Sequence, residues 1–336
     1  MKLSLCIPTY NFGRFLGVVL ESVIDQINED VEVVIVDGGS TDDTAEIVST
    51  YQSRYNNIKF FARNRRVGVD LDLAKTVELA SGEYCWFISA DDKVKQGAIE
   101  RILEEIESKA DIYLCNRTEC NINLKPLRDR FWLSRGLGDK AFDLSNKRIF
   151  LNYLNNAHSI GALFSYCSSI IFKREKWNSV AYNDKFTGSG YAHVHRLFSF
   201  LTVGCQLKYI RTALVFCRLD NDSFLDKGKV KRFLLDIDGY NLLADSLFLD
   251  DQEIKKAFLR VVAREIRDHY LIEIRSLVEN DDKWQEIKDK LLAVGFNRFK
   301  VNAIGMAGSN KFIANSLLEI KNRIKKRREQ DASSFA

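Results

Sequence analysis

The sequence predicts an α/β fold: a doubly wound, mostly parallel sheet with a helical C-terminal region. Three observations carry this. Over the first 115 residues or so, short apolar runs alternate with stretches of helical periodicity. The run Glu32 to Val36 is β-branched almost throughout, as in a strand buried on both faces. After Lys229 the chain turns helical for most of its length.

In chain order, Leu3-Ser4-Leu5-Cys6-Ile7-Pro8 is a short apolar strand that stops at a proline, and Phe15 to Ile27 has apolar residues at helical spacing. Glu32-Val33-Val34-Ile35-Val36-Asp37 is a strand, and Gly38-Gly39-Ser40-Thr41-Asp42-Asp43 turns into a helix start. Ile58 to Ala62 is a strand. Val69 to Ala80 is a helix closed by Ser81-Gly82. Tyr84 to Ile88 is a strand ending at Ser89-Ala90-Asp91-Asp92. Gly97 to Glu107 is helical, and Asp111 to Cys115 is a strand. From about Asn116 to Thr202 the pattern loosens, with a strand candidate at Cys167 to Phe172, and Leu207 to Cys217 is another strand. Ile254 to Val278 carries an apolar stripe with charges opposite, the pattern of an amphipathic helix. Phe312 to Leu318, with Ile320 and Ile324, runs into the basic cluster Lys321 to Arg328. This tail is either a basic amphipathic helix for an anionic membrane surface or a solvated helix packing its apolar side on the protein.

Composition narrows the function. With 46% hydrophobic and 29% charged residues the chain can bury a core. Its net charge of +4 is mild, and the one conspicuous basic run is at the far end, so no nucleic-acid partner is expected. The seven cysteines are odd in number, form no C-x-x-C pair and sit mostly in apolar runs. Buried free thiols in a reducing cytoplasm are therefore expected, rather than a zinc site or disulfide framework. Met1-Lys2 leads straight into a strand, so no signal peptide is expected. No uninterrupted apolar run of about 18 residues exists, so no spanning helix is expected either.

In open α/β sheets ligands bind beyond the carboxyl ends of the strands. Three such ends carry polar groups: Pro8-Thr9-Tyr10-Asn11, Asp37-Gly38-Gly39-Ser40 and Ser89-Ala90-Asp91-Asp92. Asp91 and Asp92 either cap the following helix or hold Mg²⁺ or Mn²⁺, which prefer oxygen ligands and would bridge diphosphate oxygens. Asp37 either accepts hydrogen bonds from a nucleobase or ribose or caps its turn. Tyr10 either stacks on a base or packs beside the loop.

As an ordered set, Cys6-Ile7-Pro8-Thr9-Tyr10-Asn11, Val34 to Thr44, Ala80-Ser81-Gly82-Glu83-Tyr84 and Ser89-Ala90-Asp91-Asp92 closely resembles the family 2 glycosyltransferases. The resemblance covers the first 115 residues or so. It implies a GT-A fold, a nucleotide-sugar donor and a divalent metal, Mg²⁺ or Mn²⁺. It further implies that Thr9, Tyr10 and Asp37, with Pro8 and Gly39 in the same loops, hold the nucleotide. Asp91 would meet the ribose or diphosphate, and Asp92 would bind the metal and serve catalysis. A narrower resemblance rests on Glu83 to Trp86, Ala110 to Cys115, Gly161 to Ser169 and Cys217 to Phe224. Over residues 1–245 the chain is similar to the abequosyltransferases of bacterial O-antigen and lipopolysaccharide assembly. That implies a CDP-activated 3,6-dideoxyhexose such as CDP-abequose as donor. It also implies a lipid-diphosphate-linked oligosaccharide acceptor at the cytoplasmic face of the inner membrane, with the enzyme peripheral on that surface. The expected division is a catalytic domain at 1–228, with a nucleotide-binding half (1–115) and an acceptor half (116–228), then a helical region at 229–336.

Two stretches depart from the family pattern. Many members carry a Glu-Asp pair whose Asp is the base, whereas this chain reads Gly188-Ser189-Gly190-Tyr191-Ala192-His193-Val194-His195. His193 is the candidate base, since imidazole can take a proton near neutral pH; the alternative is a buried, hydrogen-bonded histidine. The later Arg-x-His-x-x-Ser pattern is Arg218-Leu219-Asp220-Asn221-Asp222-Ser223 here. Arg218 suits diphosphate oxygens, and Asp220 is an extra metal ligand or part of a polar turn. The competing functions are a UDP-hexose transferase and a non-catalytic binding protein of the same fold. A nucleotidyltransferase would need a better phosphate loop than Thr9 to Arg14. Apolar helices after Lys229 offer a surface for a homodimer.

Overall fold

The computed structural model describes residues 1–222, 224, 228–278, 280–316, 319 and 323. Ser223 of the late motif, the tail residues Leu317, Leu318, Ile320 and Ile324, and the Lys321 to Arg328 cluster apart from Arg323 lie outside the described residues.

The chain begins β1 (Leu3–Thr9), α1 (Gly13–Ile24), β2 (Val31–Asp37), α2 (Thr44–Gln52), β3 (Ile58–Ala62), α3 (Val69–Leu79) and β4 (Tyr84–Phe87). These are the expected elements, with ends displaced by a few residues. β1 lies between β2 and β4 and parallel to both, and β3 adds outside β2, again parallel. Every residue of β2 is buried, which is why it reads as an unbroken apolar run. It holds two acids, Glu32 and Asp37, and the burial of Glu32 is compensated by Ser4 Oγ at 2.6 Å, the Ser81 amide at 2.5 Å and Lys59 Nζ at 2.8 Å. α1 buries Phe15, Leu16, Val19, Leu20, Val23 and Ile24 as one stripe. Each such side chain contributes about 1.5–3 kcal/mol when fully buried.

The chain continues through β5 (Lys93–Val94), α4 (Ala98–Glu105), β6 (Ile112–Cys120), β7 (Pro126–Arg130), β8 (Lys140–Asp143), α5 (Lys147–Asn156), β9 (Ile170–Lys173), α6 (Arg174–Ser179), α7 (Ala192–Phe198) and β10 (Gln206–Arg218). Among the described residues the strands form one ten-stranded sheet, ordered β3-β2-β1-β4-β9-β6-β10-β5, with β7 on β6 and β8 on β10. β9 enters between β4 and β6, antiparallel to both, while β10 is parallel to β6. The loosened pattern after residue 116 thus hides strands of four or five residues, β7 to β9, too short to display a period. Two buried indoles tie this region to the sheet. Trp86 Nε1 donates to the Ser168 carbonyl at 2.9 Å, and Trp132 Nε1 to the Cys115 carbonyl at 2.6 Å. All seven cysteines are free thiols.

Residues 1–157 and 161–220 form one compact unit, and 158–160 with 221–336 form a second. The second is helical: α8 (Lys229–Phe248), α9 (Gln252–Glu265), α10 (Asp268–Leu277), α11 (Asp281–Ala293) and α12 (Arg298–Ser309). The amphipathic stretch at 254–278 is two helices, α9 and α10, parted by extended backbone at Ile266 and Arg267. The sequence pattern did not show the break because both helices keep one phase. Ala257 and Leu271, like Val261 and Arg275, are buried and about four turns apart. No described helix is long and apolar enough to cross a membrane.

Candidate active site at the strand ends

The parallel register sets the site. Thr9 pairs with Asp37 at the ends of β1 and β2, and Cys6 pairs with Phe87 at the end of β4. The three polar strand ends named from sequence therefore lie side by side. Thr9 is buried, and its hydroxyl has no hydrogen-bond partner in the protein. Asp37 Oδ1 accepts from the Ser40 amide at 2.9 Å and the Ser40 hydroxyl at 2.5 Å, so it caps its own turn. Gly39 has φ +90°, and a Cβ there would lie 3.1 Å from the Arg65 carbonyl carbon. Only glycine lets the two loops approach this closely. The Arg66 guanidinium sits 4.2 Å over the Tyr10 ring, and both Tyr10 and Pro8 are half-buried.

α3 adds a residue that sequence reasoning missed. Asp72 is buried and accepts from Arg63 Nε at 2.5 Å. A Cβ on Gly38 would meet Asp72 Oδ2 at 2.7 Å, which places this acid against the Asp37 turn. Burial raises the Asp72 carboxyl above its usual range, Arg63 opposes the rise, and the Asp37 charge adds to it. Thr9, Asp37, Asp72 and Arg63 thus form a polar cup.

The acid pair follows β4. Asp92 is 2% exposed. Its Oδ2 accepts from the Tyr166 and Ser168 hydroxyls, both at 2.5 Å, and its Oδ1 receives one long 3.3 Å bond from the Arg218 amide. Asp91 Oδ1 accepts from Ser89 Oγ at 2.6 Å. Burial pushes the Asp92 carboxyl from 3.8 up to about 7, and the neighbouring Asp91 charge adds to the rise. Bonds from Ser168 and Tyr166 and the Arg117 charge restrain it. Arg117 reaches this point by stacking 4.3 Å from the Tyr166 ring centroid. Tyr166, Ser168 and Arg117 were not assigned roles from the sequence. For Tyr166 and Ser168 the one signal is the hydroxyl-rich stretch Ser165 to Ser169 inside an apolar region, and for Arg117 there is none.

Two adjacent carboxylates, one raised by burial and by its neighbour's charge, fit a hard divalent cation that relieves their repulsion. Asp92 Oδ1 has coordination capacity left. Among the described residues no three acidic, histidine or cysteine side chains converge, so water and substrate oxygens would have to complete such a site.

Of the remaining sequence candidates, Arg218 lies beside the acid pair. Asp220 is exposed, in the left-handed region at φ +61°, and joins no such cluster. It lies two residues past the end of β10, a position that suits the polar turn weighed as its alternative. Arg218 is committed to the protein: Nε donates to the Asp91 carbonyl at 3.0 Å, Nη1 to the Ile122 carbonyl, and the guanidinium covers Phe15 at 4.4 Å. It shapes the acid turn from behind. His193 is 4% exposed on α7, with Nε2 3.1 Å from the Phe164 carbonyl and 3.6 Å from Cys167 Sγ. Burial lowers its pKa. This geometry matches the buried, hydrogen-bonded histidine weighed against a base, with Nδ1 left without a partner in the protein.

The family model for glycosyl transferase family 2 matches residues 4–176. The abequosyltransferase RfbV of Salmonella typhimurium is 34% identical over 97% of this chain and 99% of its own length. A GalNAc(5)-diNAcBac-PP-undecaprenol beta-1,3-glucosyltransferase of Campylobacter jejuni is 26% identical over 56% of this chain and 57% of its own. Among solved structures, S. aureus TarS 1-349 in complex with UDP superposes with TM-score 0.62 at 18% identity, covering 94% of this chain and 88% of that one. The shared fold is GT-A. With the family model spanning half the chain and a relative aligned along nearly all of it, this chain is a glycosyltransferase and belongs to glycosyl transferase family 2.

Proposed function

We propose that the chain transfers a 3,6-dideoxyhexose from a CDP-sugar to a lipid-diphosphate-linked O-antigen oligosaccharide. The observation that carries it is the juxtaposition of the polar cup at Thr9 and Asp37 with the Asp91-Asp92 turn across adjacent parallel strand ends. The near-full-length similarity to an abequosyltransferase supports the sugar, and the Campylobacter relative named for an undecaprenyl-diphosphate acceptor supports the lipid. In this proposal Thr9, Tyr10, Asp37 and Asp72, with Pro8 and Gly39 shaping the loops, hold the nucleotide. Thr9 contributes the hydroxyl that the protein leaves unpaired. Asp92 and Asp91 would hold Mg²⁺ or Mn²⁺. A divalent cation there would neutralise charge on the departing diphosphate. Tyr166 and Ser168 fix the Asp92 carboxylate by donating to Oδ2, and Arg218 holds the turn behind it. Residues 116–228 form the acceptor side.

Peripheral attachment at the inner membrane belongs to the same proposal. Phe299, Met306 and Phe312 are 84%, 76% and 82% exposed, along α12 and the helical residues 311–316. Arg298, Lys300 and Lys311 flank them, and the sequence then continues into the basic cluster. An apolar stripe with basic flanks suits an anionic lipid surface.

Isothermal titration with CDP, UDP and GDP, each with and without Mn²⁺, tests the donor. Metal-dependent preference for CDP is expected. Preference for UDP would replace the dideoxyhexose by a UDP-hexose, and binding of none would remove the nucleotide assignment.

A further inference from the structure

Asp70 is a buried carboxylate that the donor cup does not use. It lies in the first turn of α3, where an acid suits the helix dipole, yet its oxygens serve another element. Oδ2 accepts from the Gly188 amide at 2.8 Å and the Gly190 amide at 3.0 Å, and Oδ1 from the Ala192 amide at 3.2 Å. Gly188 and Gly190 have φ of +85° and +77°, conformations that L side chains rarely adopt. Backbone amides converging in this way form an anion cradle. Here the anion is the protein's own side chain, supplied from more than a hundred positions earlier.

The cradle leads into α7. His193, the second residue of α7, bonds the Phe164 carbonyl and touches Cys167, and the next residue, Ser168, donates to Asp92. Two residues from Asp70 on α3, Asp72 bonds Arg63 beside Gly38. One helical turn therefore carries two buried acids. One reaches the donor cup and the other reaches the 188–192 turn that leads into α7.

We propose that Asp70 is a positioning residue for sugar transfer. It fixes the 188–192 turn and, through α7, sets the 164–168 segment that holds Asp92 relative to the donor cup. Its oxygens are occupied by amides, so it does not touch substrate. The kinetic part of the test rests on the transferase function, and the exchange part does not.

The test compares full-length wild type, Asp70→Ala and Asp70→Asn. Asparagine keeps one carbonyl oxygen for the Gly188 and Gly190 amides and loses the acceptor for Ala192. In Asp70→Ala, amide hydrogen exchange is expected to quicken across 186–198 and 163–169 and to stay unchanged in β1 and β2. CDP binding with Mn²⁺ should hold within about twofold, since the Asp70 carboxylate bonds the 188–192 amides and not the cup. Transfer should fall about ten- to a hundredfold, the scale of a misplaced reacting geometry, with donor hydrolysis to water less affected. Asp70→Asn should recover most of the transfer. Three results would overturn the proposal: wild-type transfer in Asp70→Ala, equal losses of CDP binding, hydrolysis and transfer, or an asparagine variant as inactive as alanine. If the wild type transfers no sugar, the transferase assignment fails first. Unchanged exchange at 163–169 in Asp70→Ala would then still refute the coupling; should alanine fail to fold, an asparagine variant with exchange quickened at 186–198 and unchanged at 163–169 refutes it instead.

Discussion

At pH 8 in the absence of divalent cation, replacing Asp92 by asparagine should make this protein more stable, although it removes the residue assigned to cation binding. The reason lies in the buried carboxyl, raised from 3.8 to about 7 by desolvation and by Asp91. A raised carboxyl holds its proton more tightly in the folded chain than in the unfolded one. Its native advantage is complete below the unfolded value and is lost as pH climbs through the folded one. For Asp92 the loss runs from about pH 4 to about pH 7. The whole interval corresponds to about 4 kcal/mol, of which about 2–3 kcal/mol falls between pH 5 and pH 8. Asparagine has no such titration, and the Tyr166 and Ser168 hydroxyls can turn to accept its amide. For a unit of this size the difference amounts to about 5–10 °C in melting temperature. The assay is thermal unfolding of both proteins in EDTA from pH 5 to pH 8. The wild type should fall relative to Asp92→Asn as pH rises, and Mn²⁺ with nucleotide should restore the wild type alone. Parallel curves, or an asparagine variant less stable by one constant amount at every pH, would refute the reasoning.

Two further outcomes follow from the geometry. Thr9→Val keeps the side-chain shape and removes a buried hydroxyl that has no protein partner. Its melting temperature should hold or rise slightly while nucleotide affinity drops about five- to tenfold, the worth of one hydrogen bond; undiminished affinity by calorimetry would show that the hydroxyl faces no ligand. The double variant Phe299→Ser with Met306→Ser should lose at least about tenfold in co-sedimentation with anionic vesicles, since each exposed apolar side chain gains on entering the interface. Equal sedimentation of variant and wild type would exclude this face as the contact.

The polar strand ends were legible because their residues follow strands. An apolar run ending in Thr9, Asp37 or Asp91-Asp92 marks both the element and the crevice beyond it, and parallel pairing then brings the ends together. What escaped is held by contacts between distant positions. Ser168 and Asp92 are 76 residues apart, and Tyr166 and Asp92 are 74. Neither separation has a periodic signature. Asp72 escaped for another reason: an acid in a first helical turn is ordinarily solvated, and only the position of α3 beneath the Asp37 turn buries it. The long stripe at 254–278 misled because phase continuity does not require backbone continuity.

The stretch Gly188 to His195 shows why a motif is a poor inventory of charge. It contains no carboxylate, which made His193 the nearest candidate for proton transfer. In the folded chain a carboxylate does reach this stretch. It is Asp70, and it meets backbone amides rather than an acceptor. The two glycines make that possible by turning their amides toward one point. Enclosing His193 on the helix that follows is consistent with a wall built for rigidity. The chemistry near this turn is therefore best approached through what the turn holds in place, since His193 is buried and bonded to the Phe164 carbonyl.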